Sequence, residues 1–165
     1  MMEDRKLEST PRGPRWLYHL WWLLVDLAGR SFYWVLDLAG QASRGHRNAL
    51  DLQVRSHCFG FSSLPEAFEG FRILHLTDLH LDGMDELLEN TATRLEDLPP
   101  VDLLVLGGDF KFGLRGPAQA ALDRLSKLLD RIDHLAPRKI AVLGNHDSVA
   151  MLDGLEKMGL EVLVN

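Results

Sequence analysis

The chain has 165 residues, 46% of them hydrophobic, enough to bury a core in one domain with an extension. Its net charge of -6 argues against a general nucleic-acid binder, which carries a basic surface, so no nucleic-acid partner is expected. The single cysteine, Cys58, excludes an internal disulfide and fits a reducing compartment.

Residues 1–14, MMEDRKLESTPRGP, are charged, hold Pro and Gly, and have no apolar period; they read as a flexible arm. Aromatic residues then crowd together. All four tryptophans (Trp16, Trp21, Trp22, Trp34) and both tyrosines (Tyr18, Tyr33) lie between residues 16 and 34. On a helical wheel of about 100° per residue, Arg15, His19, Asp26, Arg30, Asp37, Gln41 and Arg44 fall within an arc of about 80°. The remaining circumference is almost wholly apolar. The pattern predicts an amphipathic helix over residues 15–44, either continuous or kinked near Gly29, with Asp26 and Arg30 spaced to pair across one turn.

Magnitudes argue against this helix spanning a bilayer alone. Asp26, Arg30 and Asp37 each cost about 2.5 to 3.5 kcal/mol near the bilayer centre, and each Leu, Val or Phe offsets only about 0.3 to 0.6. Lying in the interface, the helix keeps its polar stripe wet, and Trp16, Trp22, Tyr33 and Trp34 flank that stripe at headgroup level. The expectation is a peripheral membrane association through residues 15–44, on the cytoplasmic face. The alternative is a helix packed on its own domain or on a second subunit. A cleaved signal peptide fits poorly, because acidic residues interrupt the apolar run.

Residues 45–70 form a connector, in which ALDLQVR alternates like a short strand and GFSSLPEAFEG reads as turns. From residue 71 the pattern becomes regular. FRILHLT, DLLVLG, KIAVLG and LEVLVN read as strands. MDELLENTATRLEDL, PAQAALDRLSKLLDRIDHL and SVAMLDGLEKMG read as the helices between them, the first stopped by Pro99 and Pro100. Strands alternating with helices predict an α/β fold with a largely parallel, buried sheet.

Ligands of such sheets bind outside the carboxyl ends of the strands. There the first strand empties into TDLH, with Asp78 and His80, the second into GGD, with Asp109, and the third into GNHD, with Asn145, His146 and Asp147. Asp78 and His80 are two apart, so in an extended segment their side chains project together and can grip one ion. Two glycines before Asp109 let the backbone come close and leave room for its carboxylate to bridge two ions. Carboxylate, imidazole and amide donors suit Zn, Mn or Fe better than a thiolate set does. Two divalent ions about 3.5 to 4 Å apart would hold a hydroxide and a phosphoryl oxygen for in-line attack. Each motif alone has a plainer reading: D-x-H is common by chance, and an aspartate after a strand often caps a helix. Their order at successive strand ends outweighs that. His75 and His134 read as structural, and His46 and His57 carry no signal.

These motifs resemble the opening motifs of the calcineurin-like metallophosphoesterases, and TDLHLD with LGNHD is similar to their bacterial members. The resemblance covers about residues 71–165, which it makes the amino-terminal part of that domain. It implies a layered β-sheet sandwich flanked by helices around a dinuclear centre. By that likeness Asp78 and His80 bind the first metal, Asp109 bridges, and Asn145 binds the second. His146 would protonate the leaving oxygen or stabilise the transition state, with Asp147 orienting it; an imidazole backed by a carboxylate is a sound general acid. Two departures stand out. Phe112, after Lys111, occupies a position where many members carry an acidic residue. No histidine follows His146, whereas the family supplies further ligands from a later Gly-His and a Gly-His-x-His motif, so the chain reads as a fragment lacking the carboxyl-terminal part of the domain and inactive alone.

The function implied is a metal-dependent hydrolase of phosphodiester or pyrophosphate bonds. Some bacterial members with an amino-terminal membrane segment resemble enzymes cleaving the pyrophosphate of UDP-2,3-diacylglucosamine in lipid A synthesis, so a lipid-linked substrate is the preferred expectation. A phosphodiesterase or nuclease on a soluble substrate is the runner-up, and a membrane-tethered, non-catalytic binding module the third reading.

Overall fold

The computed structural model describes residues 15–114 and 116–164. The predicted arm, residues 1–14, lies outside the described residues. The chain divides into two units at the bond between Ala49 and Leu50.

The described residues of the first unit are helical. α1 spans Arg15–Leu38 and α2 spans Gln41–Leu50. The break falls at Gly40 and not near Gly29. Gly40 takes φ +67° and its N–H donates to the Asp37 carbonyl at 2.9 Å, so it ends α1 in the left-handed conformation that glycine enters without a Cβ penalty. Gly29 keeps helical geometry, where it costs only about 1 kcal/mol relative to alanine. A wheel drawn continuously to Arg44 therefore loses register after Leu38. Asp26 and Arg30 do pair, at 3.5 Å on an exposed face. No described helix is long and apolar enough to cross a membrane.

The second unit begins with irregular chain. The strand predicted in ALDLQVR does not form: α2 takes its first two residues, and the rest pairs with no neighbouring strand. Alternation alone cannot hold a strand whose ladder hydrogen bonds have no partner. A short 3-10 turn, Glu66–Phe68, follows.

The βα pattern then appears as predicted. β1 (Ile73–Leu76), β2 (Leu103–Leu106), β3 (Lys139–Val142) and β4 (Glu161–Leu163) form a four-stranded parallel sheet in the order β1-β2-β3-β4. Between them run α3 (Glu86–Leu95), α4 (Gln119–Ile132) and α5 (Leu152–Lys157). α5 is shorter than its sequence pattern because Val149–Met151 winds as a 3-10 turn first, with the Ser148 hydroxyl accepting from the Ala150 N–H.

One face of the sheet makes the core. Leu104, Leu106 and Ala141 are buried there, together with Ala92 and Leu95 of α3 and Leu125, Leu128 and Ile132 of α4. Each buried leucine or isoleucine contributes about 1.5 to 3 kcal/mol. Arg131 of α4 reaches Glu89 and Glu96 at 2.7 and 2.5 Å; those hydrogen bonds, Glu96 first, raise its pKa. On the other face Ile73, Val142 and Leu163 are exposed, and Leu103, Val105 and Ile140 half-buried. The second sheet of a sandwich is not among the described residues; what they hold is a parallel sheet flanked by helices, with all its strand ends at one edge.

Candidate metal centre

Three loops leave that edge, after β1, β2 and β3. Backbone hydrogen bonds zip the first two together: Asp78 N–H donates to Gly108 O (3.1 Å), His80 N–H to Asp109 O (3.0 Å) and Leu81 N–H to Phe110 O (3.2 Å). Making these bonds forces an unusual backbone. Asp78, His80 and Asp109 all take positive φ, at 52°, 42° and 53°, and no other described non-glycine residue does. Such conformations cost on the order of 1 to 3 kcal/mol each and gather at functional sites.

The positive φ angles correct one expectation. Asp78 and His80 do not lie in an extended segment, so being two apart does not aim both side chains at one point. The Asp78 carboxylate instead accepts from the Thr77 hydroxyl at 2.7 Å and is exposed. The side chains that converge are His80, Asp109 and His146, each half-buried, with a ligating atom of each within 4.8 Å of the others. The two imidazole rings stand 4.8 Å apart, inclined at 63°. Asn145 is exposed beside His146 in the third loop.

The third loop is fastened by Asp147. Its Oδ1 accepts from the backbone N–H groups of Phe110 (3.0 Å) and Lys111 (3.3 Å), and its Oδ2 from Gly144 N–H (2.9 Å). Both oxygens are engaged by main chain, so Asp147 does not orient the His146 ring. That expectation is corrected: the carboxylate holds the loop, and the ring is oriented by a carbonyl. Asp109 adds a further tie, its Oδ1 accepting from His146 N–H at 2.8 Å. The loops meet so closely that a Cβ on Gly108 would strike the Gly144 backbone, and one on Gly144 would strike the Asp109 carboxylate.

Both rings are fixed by the same stretch of main chain. His80 Nδ1 lies 2.9 Å from Lys111 O, and His146 Nδ1 lies 2.6 Å from Phe112 O. A carbonyl oxygen only accepts, so each Nδ1 carries hydrogen and each neutral ring keeps its lone pair on Nε2. A backbone carbonyl on the second nitrogen is the usual support of a metal-binding imidazole. Phe112 is itself held, its N–H donating to Asp82 Oδ1 at 2.6 Å. The His80 imidazole and the Asp109 carboxylate on a tightly crossed loop cradle fit a divalent ion of borderline hardness, with the His146 imidazole beside them.

Sequence reasoning missed three supports. The carbonyls of Lys111 and Phe112 leave no trace in side-chain identity. Arg124 of α4 pins the first loop, Nη1 donating to Leu81 O (2.7 Å) and Met84 O (2.9 Å) and Nη2 to Asp85 (2.5 Å). Its signal, an arginine one position before the buried Leu125, is weak. Of the histidines set aside, His134 meets Glu96 O at 2.9 Å, a structural role, and His75 lies mid-strand outside the cluster.

A family model described as calcineurin-like phosphoesterase matches residues 71–163. The chain is also similar to the uncharacterized metallophosphoesterase YkoQ of Bacillus subtilis (strain 168). The two are 29% identical over 117 residues, covering 70% of this chain and 41% of that protein. The chain thus spans about two-fifths of that relative's length.

Proposed function

Since the chain belongs to the calcineurin-like phosphoesterase family, we propose that the whole protein hydrolyses a phosphodiester or pyrophosphate bond with two divalent ions, drawn from Mn, Fe and Zn. The observation carrying this reading is the convergence of His80, Asp109 and His146 within 4.8 Å at the strand ends.

Divalent ions there supply Lewis acidity toward a phosphoryl oxygen and a nucleophile at neutral pH. Among the chain's own groups, His80 would ligate the first ion through Nε2, together with the Asp78 carboxylate. Asp109 would serve both ions, while its Oδ1 accepts from the His146 N–H. Asn145 would offer an amide oxygen to the second ion. His146 delivers a proton to the leaving oxygen from Nε2. Because its Nδ1–H is committed to Phe112 O, that proton is present only on the doubly protonated ring.

The finer reading is an ester carried at a lipid surface, of which UDP-2,3-diacylglucosamine is one example. Its support is the exposed aromatic helix α1. The test is metal-dependent hydrolysis of bis-p-nitrophenyl phosphate by the full-length protein, beside metal analysis and an acylated pyrophosphate substrate. Two ions per chain and turnover lost in Asp109→Asn are expected. Less than one ion per chain, or an active Asp109→Asn protein, overturns the dinuclear reading. Equal turnover of acylated and soluble esters overturns the finer one.

A further inference from the structure

The first unit presents a surface that the candidate metal centre does not use, and on which the lipid-surface reading above rests. Trp21, Leu24, Phe32 and Val35 of α1 are between 52% and 65% exposed, on the side of the helix away from the Asp26–Arg30 pair. Trp16 and Trp34, 64% and 63% exposed, stand between that side and the polar stripe. A contiguous apolar surface of this kind marks an interaction site.

Charge identifies the occupant. The chain as a whole carries -6, yet residues 15–50 hold four arginines against two aspartates. Two of the arginines, Arg44 and Arg47, lie on α2, which has no acidic residue. An apolar, tryptophan-edged helix next to a basic helix, in an otherwise acidic protein, is complementary to a surface that is apolar within and anionic at its rim. α1 is also unfit to cross a bilayer. We propose that α1 and α2 dock on an anionic phospholipid surface, α1 lying in the interface with Asp26 and Arg30 toward water. Trp16 and Trp34 then sit at headgroup depth, where an amphipathic ring is most favourable, and the arginines of α2 meet lipid phosphates.

The tryptophans themselves supply the test, since all four lie in α1. The 165-residue chain is titrated with phosphatidylcholine vesicles, with and without phosphatidylglycerol, while tryptophan emission is recorded. A blue shift is expected that is stronger with the anionic lipid and weakened by salt. Quenching should be stronger from lipids brominated near the glycerol backbone than from lipids brominated at the chain ends. Arg44→Ala with Arg47→Ala should lower the partition coefficient on anionic vesicles on the order of tenfold. Leu24→Glu with Val35→Glu, both at exposed positions, should abolish the shift while leaving the circular dichroism spectrum unchanged. No shift with either lipid overturns the proposal. So does a protein that is dimeric and blue-shifted without vesicles and indifferent to adding them, because the face then belongs to a second copy. None of these readouts requires turnover, so they stand apart from the phosphoesterase reading.

Discussion

His146 Nδ1 and the carbonyl oxygen of Phe112 lie 2.6 Å apart, although 34 residues separate them in the chain. The contact assigns the ring's hydrogen to Nδ1 and turns Nε2 into the reactive nitrogen. His146→Ala should therefore lose turnover by about 10²- to 10⁴-fold, the usual worth of a general acid. The loss should shrink for an ester with a good leaving group, which needs little protonation. Equal losses across leaving groups would assign His146 to charge stabilisation. A fall in bound metal would assign it to ligation.

Asp147 accepts three backbone N–H groups, and its removal leaves them without a partner in a half-buried loop. Asp147→Ala should lower stability by about 2 to 4 kcal/mol and weaken metal binding together with it. Denaturant unfolding and metal titration on one preparation measure both. Stability unchanged with turnover lost would mean that the carboxylate acts on the chemistry directly.

Gly144→Ala tests how closely the second and third loops cross. The new methyl group would strike the Asp109 carboxylate, so either the carboxylate or the loop must shift. Overpacking of this kind costs about 1 to 3 kcal/mol, and metal affinity should fall at least tenfold. Wild-type affinity in the variant would show that the loops do not cross as described.

Arg124 serves two carbonyls and one carboxylate of the loop that carries His80. Arg124→Ala should destabilise the protein by about 1.5 to 3 kcal/mol. Arg124→Lys should rescue little, because an ammonium lacks the planar fork that reaches all three acceptors. Thermal melts of both variants decide the matter; full rescue by lysine would reduce the role to charge alone.

Lys139 donates to Asp133 at 2.7 Å and, first by that hydrogen bond and then by its charge, holds the Asp133 carboxyl below its ordinary range. A carboxyl depressed on folding adds stability above its unfolded pKa of about 3.9, and that stability is lost as pH falls through the folded value. The Tm gap between wild type and Asp133→Asn should thus be largest above about pH 5 and close in stronger acid. A gap unchanged at the lowest pH would point to packing.

The βα alternation and the edge at which Asp78, His80, Asp109 and the GNHD segment gather were legible in the residue order. Strand periodicity is local, and a parallel sheet sends every strand's carboxyl end to the same side. Helix ends were less legible. Gly29 and Gly40 look alike in a sequence, and only the left-handed φ of Gly40 distinguishes the one that stops a helix. The working details of the site belong to the tertiary structure. Lys111 and Phe112 orient the two imidazoles through carbonyls, a group every residue possesses, across 31 and 34 positions of chain. Asp147 looks like a partner for the adjacent imidazole, yet its carboxylate is taken by N–H groups that reach it only once the second and third loops have crossed. Residue order therefore announced the edge at which these residues gather, and backbone hydrogen bonds between distant segments decided which side chains converge there.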